Sequence, residues 1–586
     1  MNSEENHWRN QLKIFVDYVG YERASKKRAV IEAPENLGLT EFSLVDEDSG
    51  VAVFKGKIHR AGHVDNWKDW NFWTLDFSDF EDTGFYYISI NAGGREYRSK
   101  SFEIAENILQ KKTLSDVLFY FKSQRCSGKY DRADHSVQFV GSRKDKVDVH
   151  GGWYDATGDV SKHLSLLNHY MNTQQTPLVV WGLIDSLERL LGYKHPLGEN
   201  LKVRLLEEAL YGADFLMRIL DKEGYFYLSV FDEQFKRIGP REICALISWG
   251  PIAYKKTDKY KSGYRQGGGV AIAALARAST LGESSDYKSE EYLKGAVRAF
   301  DHLEEKNIEY LPDGKENIID DYCALLAASE LFNATGEERF VRAARRRARS
   351  LLDRLSSDSN YSGWWRADDK GERPYYHAAE AGFPVVSLIR FLEVDKDSPL
   401  RAEALEKIRA SLEFELKITE EVVNPFGYAR QYVKPVSKKP RSSFFMPHEN
   451  ESGYWWQGEN GRIASLATAA HLASVLFKKD EAFSEKLEEY ARNQLNWILG
   501  LNPFGVCMLH GFGRNPPDFR PRFQNAPGGI VNGITAGLHD ERDIDFLPES
   551  INYKLKNSYQ YAWRWTEQWI VHAIWFFMAV CSREKV

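Results

Sequence analysis

Two aspartates four positions apart, Asp155 and Asp159, stand in the run Gly151-Gly152-Trp153-Tyr154-Asp155-Ala156-Thr157-Gly158-Asp159-Val160-Ser161-Lys162-His163. Carboxylates at that spacing, set between glycines that permit unusual backbone angles, make a compact acidic hole. Trp153 and Tyr154 add a flat apolar wall of the kind on which a sugar face stacks. Such a site would hold and activate a water molecule beside a sugar ring. The same residue types also build a tight turn whose aspartates bond nearby backbone amides, and local chemistry alone leaves both readings open.

A second cluster runs from Met446 to Asn460 and packs His448, Glu449, Glu451, Tyr454, Trp455, Trp456 and Glu459 ahead of a predicted helix. Tyr454, Trp455 and Trp456 are candidates for walling one end of a cleft; a capping region with solvated charges is the alternative. Its acids lack the spacing of an EF-hand, and no metal or other cofactor is expected. The run Gly267-Gly268-Gly269 invites a phosphate-loop reading, but no strand precedes it and no Lys-Ser/Thr follows, so close packing at a helix start is expected.

The chain around these clusters has 586 residues, too many for one core, so at least two domains are expected. Its net charge of -6, from 78 basic and 84 acidic residues, argues against a nucleic-acid partner or a polybasic membrane contact. The most apolar late run, Ile570 to Cys581, is too short to span a bilayer. Aromatics make up 13% of the residues, with 16 Trp and 30 Tyr, which suits stacking platforms as well as a large helical core. The five cysteines are scattered without CxxC spacing and read as reduced thiols. With no apolar signal-type stretch among the first ten residues, a cytoplasmic location is the expectation.

Two textures divide the elements that must position the clusters. Residues 1–104 alternate short β-branched and aromatic runs with turn chemistry: Lys13–Val19, Ala29–Ala33, Glu41–Val45, Val51–Phe54 and Tyr86–Asn91. They predict an immunoglobulin-like β-sandwich. Residues 105–586 carry about a dozen amphipathic helices, from Ile108–Lys122 to Tyr561–Cys581, with none of the strand–helix alternation of a parallel sheet. An (α/α)6 barrel fits that count, with the long aromatic loops on one rim.

At this point the chain resembles glycoside hydrolase family 9 over nearly its whole length. Ile14-Phe-Val-Asp-Tyr-Val-Gly-Tyr21 is similar to the family's opening strand, Gln124-Arg-Cys126 to the segment before its catalytic loop, Gly151-Gly-Trp-Tyr-Asp-Ala156 to its G-G-W-x-D-A-G-D loop, and Ile498-Leu-Gly-Leu-Asn-Pro503 to its Asn-Pro element. The resemblance implies an inverting β-1,4-glycosidase acting on an oligosaccharide. Asp155 and Asp159 would hold and deprotonate the water, and Glu567, in Trp563-Arg-Trp-Thr-Glu-Gln-Trp569 on the last helix, would protonate the leaving oxygen. A proton kept near neutral pH calls for desolvation, which Trp563, Trp565 and Trp569 would give, and inversion calls for a base–acid separation of roughly 6.5–9.5 Å.

Two departures set the expected specificity. The acids here are separated by Ala156-Thr157-Gly158, one residue more than in most of the family, a form that resembles its small exo-acting branch with exo-β-D-glucosaminidases. The family's histidine pair that grips a glucosyl unit is replaced by Asp518-Phe-Arg520-Pro-Arg522, where Asp518 would suit a protonated amine with Arg520 beside it, or is a loop aspartate paired with Arg520 or Arg522. The expected substrate set is Trp153, Tyr154, Tyr454, Trp455, Trp456, Asp518, Arg520 and Trp563. The expected reaction is release of glucosamine from the non-reducing end of chitosan-type oligosaccharides. An endo-β-1,4-glucanase, a cello-oligosaccharide β-glucosidase and a non-catalytic sugar-binding protein are the alternatives.

Overall fold

The computed structural model describes residues 12–583 except 36, 166–170, 233–239, 249–253, 453–455, 520–523 and 549–558. Nine strands form the N-terminal sandwich: β1 (Lys13–Phe15), β2 (Tyr21–Glu22), β3 (Arg28–Glu32), β4 (Glu41–Asp46), β5 (Ala52–His63), β6 (Asn71–Asp76), β7 (Gly84–Ala92), β8 (Arg95–Arg98) and β9 (Phe102–Ala105). Their order is β1-β3-β6-β5-β4-β7-β9-β2, with β8 on β7. The long β5 joins the two layers. Its first half pairs with β4, and its second half, from Ile58 onward and with a register shift between Arg60 and Gly62, pairs with β6. Ile31, Leu44, Leu75, Ile88 and Ile104 fill the space between the layers.

The helical domain closes as a double ring. The inner ring is α3 (Thr176–Gly192), α5 (Gly268–Ala278), α7 (Ile318–Thr335), α9 (Phe383–Val394), α11 (Asn460–Leu476) and α14 (Ile570–Cys581), each packed on the next and the last on the first. The outer ring is α1 (Ile108–Gln124), α4 (Pro196–Arg218), α6 (Ser289–Tyr310), α8 (Glu338–Leu352), α10 (Arg401–Glu420) and α12 (Glu481–Ile498). Sequence decides the ring. Every residue of α5 and α14 is buried, as apolar helices without a polar face demand, whereas α8 buries only the stripe through Phe340, Ala344, Ala348 and Leu351 and turns its arginines outward. Two short helices, α2 (Gly128–Asp134) and α13 (Tyr559–Thr566), complete the described set. The domain is an (α/α)6 barrel, and among the described residues no helix is long and apolar enough to cross a membrane. All five cysteines are buried and unpaired.

The sandwich is bolted to the barrel through the family-like opening strand. Tyr18 N–H donates to Leu499 O at 3.0 Å and Tyr18 OH to Gly505 O at 3.1 Å. Trp67 and Phe72 of the sandwich share the barrel's core with Phe426 and Trp497. Gly500 and Gly513 are needed here because Tyr18 fills the space a Cβ would occupy, at 2.1 and 2.3 Å, and both adopt positive φ.

Sequence patterning misses two features. A six-stranded sheet built from Val137–Phe139, Lys146–Val147, Lys162–His163, Ser229–Phe231, Glu242–Ser248 and Tyr254–Thr257 lies within the helical domain, its strands too short to show a period. The apolar stretch Tyr561–Cys581 is also not one helix: it breaks at Glu567-Gln568-Trp569, which run extended.

Candidate active site

That break is what assembles the site. The acidic run is an extended ribbon clamped along both halves. In the first half Cys126 N–H donates to Gly152 O and Tyr154 N–H to Gln124 O, both at 2.8 Å, so the ribbon lies on the end of α1. In the second half Thr157 N–H donates to Gln568 O and Ile570 N–H to Asp155 O, both at 3.0 Å, and Ala156 faces Trp569 in antiparallel pairing. Residues 530–533 bind the other edge of the break, where Asn532 N–H donates to Glu567 O at 2.9 Å. Gly151 and Gly152 have φ of 78° and 74°, and a Cβ on Gly152 would meet the Phe215 ring at 2.7 Å. Glu567 therefore stands at a helix–helix junction beside the aspartate loop, and the expectation of a mid-helix acid is corrected.

The two aspartates have different surroundings. Asp159 Oδ1 accepts from Val160 N–H at 2.6 Å, Ser161 N–H at 3.1 Å and Ser161 Oγ at 3.0 Å, which fixes the carboxylate's direction. Asp155 is buried and its Oδ1 meets no hydrogen-bond donor among the described residues. Burial, then the charge of Asp159, then that of Glu567 push its carboxyl well above the ordinary range. His163 Nε2 lies 3.9 Å from Asp155 Oδ2 and its Nδ1 is 2.7 Å from Ser229 Oγ. Burial lowers this imidazole to about 4, so it is neutral at neutral pH. Tyr120 of α1 is buried beneath the same group; burial raises its hydroxyl, and the charges of Asp155 and Glu567 raise it further.

A buried ionic network holds the ribbon from behind. Lys162 Nζ donates to Val149 O at 2.6 Å and Gly151 O at 2.7 Å and pairs with Asp134 Oδ2 at 2.7 Å. Arg241 donates through Nη2 to the same Asp134 Oδ2 at 2.9 Å and through Nη1 to Val160 O at 2.8 Å. Burial works to raise Asp134, but Arg241 and Lys162 outweigh it and hold the carboxyl below its ordinary value. Two cations thus grip the ribbon on both sides of Asp155, joined by one carboxylate.

The expected substrate residues divide. Tyr154 is half-buried and its hydroxyl accepts from Ser127 N–H at 3.2 Å. Trp563 is half-buried, with the Arg564 guanidinium 4.8 Å from its ring centre. Trp153, expected as a sugar platform, is wholly buried: its Nε1 donates to Glu208 at 2.7 Å and its ring fills the space above Gly212. Alternation along the ribbon turns it into the core. Trp456 is also buried, stacked on His448 with centres 4.1 Å apart, under the Arg564 guanidinium and edge-on to Trp565. It is a wall packed from both faces rather than an open platform. Asp518 Oδ1 accepts from Asn525 N–H at 2.8 Å and closes a turn. Tyr454, Trp455 and Arg520 lie outside the described residues.

Sequence reasoning passed over Tyr120, His163, Lys162, Asp134 and Arg241. His163 and Lys162 stand in the acidic run itself, but a lone His or Lys carries no spacing signal. Asp134 and Arg241 are joined to that run only by the fold.

Comparison with known proteins agrees with the geometry. Fold and carboxyl cluster together define a glycoside hydrolase. The sequence model of glycosyl hydrolase family 9 matches residues 111–521 and that of the cellulase N-terminal Ig-like domain residues 9–95. The chain belongs to glycosyl hydrolase family 9. No curated protein matches it. Among solved structures it is similar to a family 9 protein of Bacteroides ovatus (19% identity, TM-score 0.64, covering 97% of this chain and 98% of that one). It is also similar to a metagenome-derived family 9 endoglucanase (16%, 0.66, 98% and 99%) and to the family 9 endoglucanase J30 (18%, 0.65, 96% and 100%).

Proposed function

We propose that this glycoside hydrolase cleaves β-1,4-linked glucosamine oligosaccharides from the non-reducing end with inversion. The observation that carries the chemistry is the meeting of Asp155, Asp159 and Glu567, contributed by two chain segments zipped together by backbone pairing. Asp159 has one oxygen committed to three donors and is the general base toward water. Asp155, crowded by two like charges and desolvated, retains a proton to higher pH and orients that water. Glu567 delivers the proton to the leaving oxygen. Tyr120 and His163 exclude water from the underside.

The three-residue spacer Ala156-Thr157-Gly158 and the absence of the family's usual histidine near Asp518 support the amino-sugar reading. Buried, unpaired thiols suit a reducing, cytoplasmic setting in which short imported oligosaccharides are met. A second reading, endo-β-1,4-glucanase, is favoured by the two neighbours titled endoglucanase that match along the whole chain. Reducing-end-labelled chitosan and cello-oligosaccharides separate the two. Stepwise loss of single glucosamine units supports the first reading, whereas rapid internal cleavage of cello-oligosaccharides overturns it in favour of the second.

A further inference from the structure

Thr157 stands midway along the chain between Asp155 and Asp159 and meets Gln568, the residue after Glu567, at two points. Its N–H donates to Gln568 O at 3.0 Å, and its Oγ1 donates to Gln568 Oε1 at 2.8 Å. Both residues are buried, whereas Asp159 and Glu567 beside them are partly exposed. Along an extended segment neighbouring side chains face opposite sides, so a Gln568 held inward turns Glu567 outward. The Gln568 carboxamide is itself fixed: Oε1 also accepts from Ala526 N–H and Nε2 donates to Ala526 O, both at 2.8 Å. Gly529 leaves room for it, since a Cβ there would lie 2.4 Å from Gln568 Cδ. Past Thr157 the ribbon turns away at Gly158, whose φ is 90°, and Asp159 N–H bonds back to Ala156 O at 3.0 Å. Among the described residues the Thr157–Gln568 pair is therefore the nearest link along the chain between Asp159 and Glu567.

From this geometry we propose that Thr157 is a positioning residue for the hydrolysis: its hydroxyl, bonded to Gln568, sets how far the Asp159 carboxylate stands from the Glu567 carboxyl. The proposal rests on the reading of Asp159 as base and Glu567 as acid. Backbone pairing alone fixes the register of the two segments, but the side-chain bond adds a second attachment between the same two residues and so resists their twisting about the first. An inverting site must hold a water between base and substrate while the acid reaches the leaving oxygen, and a misplacement of about 1 Å can cost on the order of 10²-fold in rate. Without the hydroxyl, Gln568 Oε1 still has the Ala526 donor, so no buried acceptor is orphaned and the loss falls on alignment more than on stability.

The test is steady-state kinetics of the full-length protein beside a thermal scan, on whichever of glucosamine and cello-oligosaccharides the parent hydrolyses faster. Thr157→Val and Thr157→Ala both remove the hydroxyl and are each expected to lower kcat about 10- to 50-fold, with KM within about twofold and the melting temperature within about 3 °C of the parent. Thr157→Ser restores the donor and is expected to bring kcat back to within about threefold. In a Gln568→Met background, where the bond is already absent, adding Thr157→Val is expected to cost less than about twofold more. A kcat within twofold of the parent in Thr157→Val, beside an inactive Asp159→Asn, overturns the proposal and leaves the catalytic assignment standing; a parent-like Asp159→Asn overturns both. A loss that Thr157→Ser does not recover, or one that multiplies in full with Gln568→Met, assigns the effect to packing and also overturns it.

Discussion

Around the acidic ribbon the side chains that fix the backbone are charged and buried: Lys162 and Arg241 donate to three carbonyls and are joined by Asp134. Around Trp456 stacked groups pack the ring itself, with His448 and the Arg564 guanidinium over it and Trp565 at its edge, and Arg564 also donates to the Trp456 carbonyl. The first arrangement is directional and leaves few alternative positions for Asp155 and Asp159. The second tolerates small shifts, because ring stacking changes slowly with sliding. A catalytic water needs the first kind of support; the wall of a sugar site can be built from the second.

The largest effect separates chemistry from support. Glu567→Gln and Asp159→Asn are each expected to lower kcat/KM by about 10³-fold, about 4 kcal/mol, while the melting temperature stays near that of the parent. Steady-state kinetics beside a thermal scan checks both. An aryl glycoside with a good leaving group is expected to recover much of the Glu567→Gln loss and little of the Asp159→Asn loss.

Next comes the ionic network. Lys162→Met keeps the stem and removes the cation, taking a donor from two carbonyls and one of its two cations from Asp134. Denaturant titration is expected to show a loss of about 3–5 kcal/mol, and kcat a further ten- to hundredfold fall. In the aromatic wall Trp456→Phe is expected to cost about 1–2 kcal/mol with kcat within twofold of the parent. Equal kcat losses in the two variants would erase the contrast between the regions.

Two smaller effects concern protons. Asp155 is raised by burial, then by the charge of Asp159, then by that of Glu567, so in a Glu567→Gln enzyme Asp155 is expected to release its proton at lower pH than in the parent, read by carboxyl NMR titration. The smallest lies in the barrel core, where burial raises Glu380 to about 8. A folded-state value above the unfolded one, about 4.3, means that the folded protein holds this proton more tightly. Its contribution is complete below about pH 4 and is lost as pH rises toward 8. Glu380→Gln is therefore expected to raise stability relative to the parent more at pH 8 than at pH 5, read from paired melts.

Much of this was legible because it repeats. Helical periodicity locates the twelve barrel helices, and all-round apolar runs such as Val270–Ala278 mark the inner ring. Asp155, Asp159 and Glu567 could be named from motifs. What sequence missed has particular causes, most of them distant in the chain. The break at Glu567 is dictated by pairing with residues 155–157 and 530–533, which no window around Trp563–Trp569 contains. Trp153 read as a platform because its neighbours are exposed in type, yet an extended ribbon alternates faces and sends it inward. The network of Asp134 and Arg241 is invisible without the fold that joins them.

The central claim is that water attacks opposite the departing oxygen, with Asp159 as base and Glu567 as acid. Proton NMR of the first product released from a chito- or cello-oligosaccharide, recorded before mutarotation, tests it most directly. The α-anomer is the result expected. A β-anomer would mean a retained configuration and would contradict the assignment of both residues.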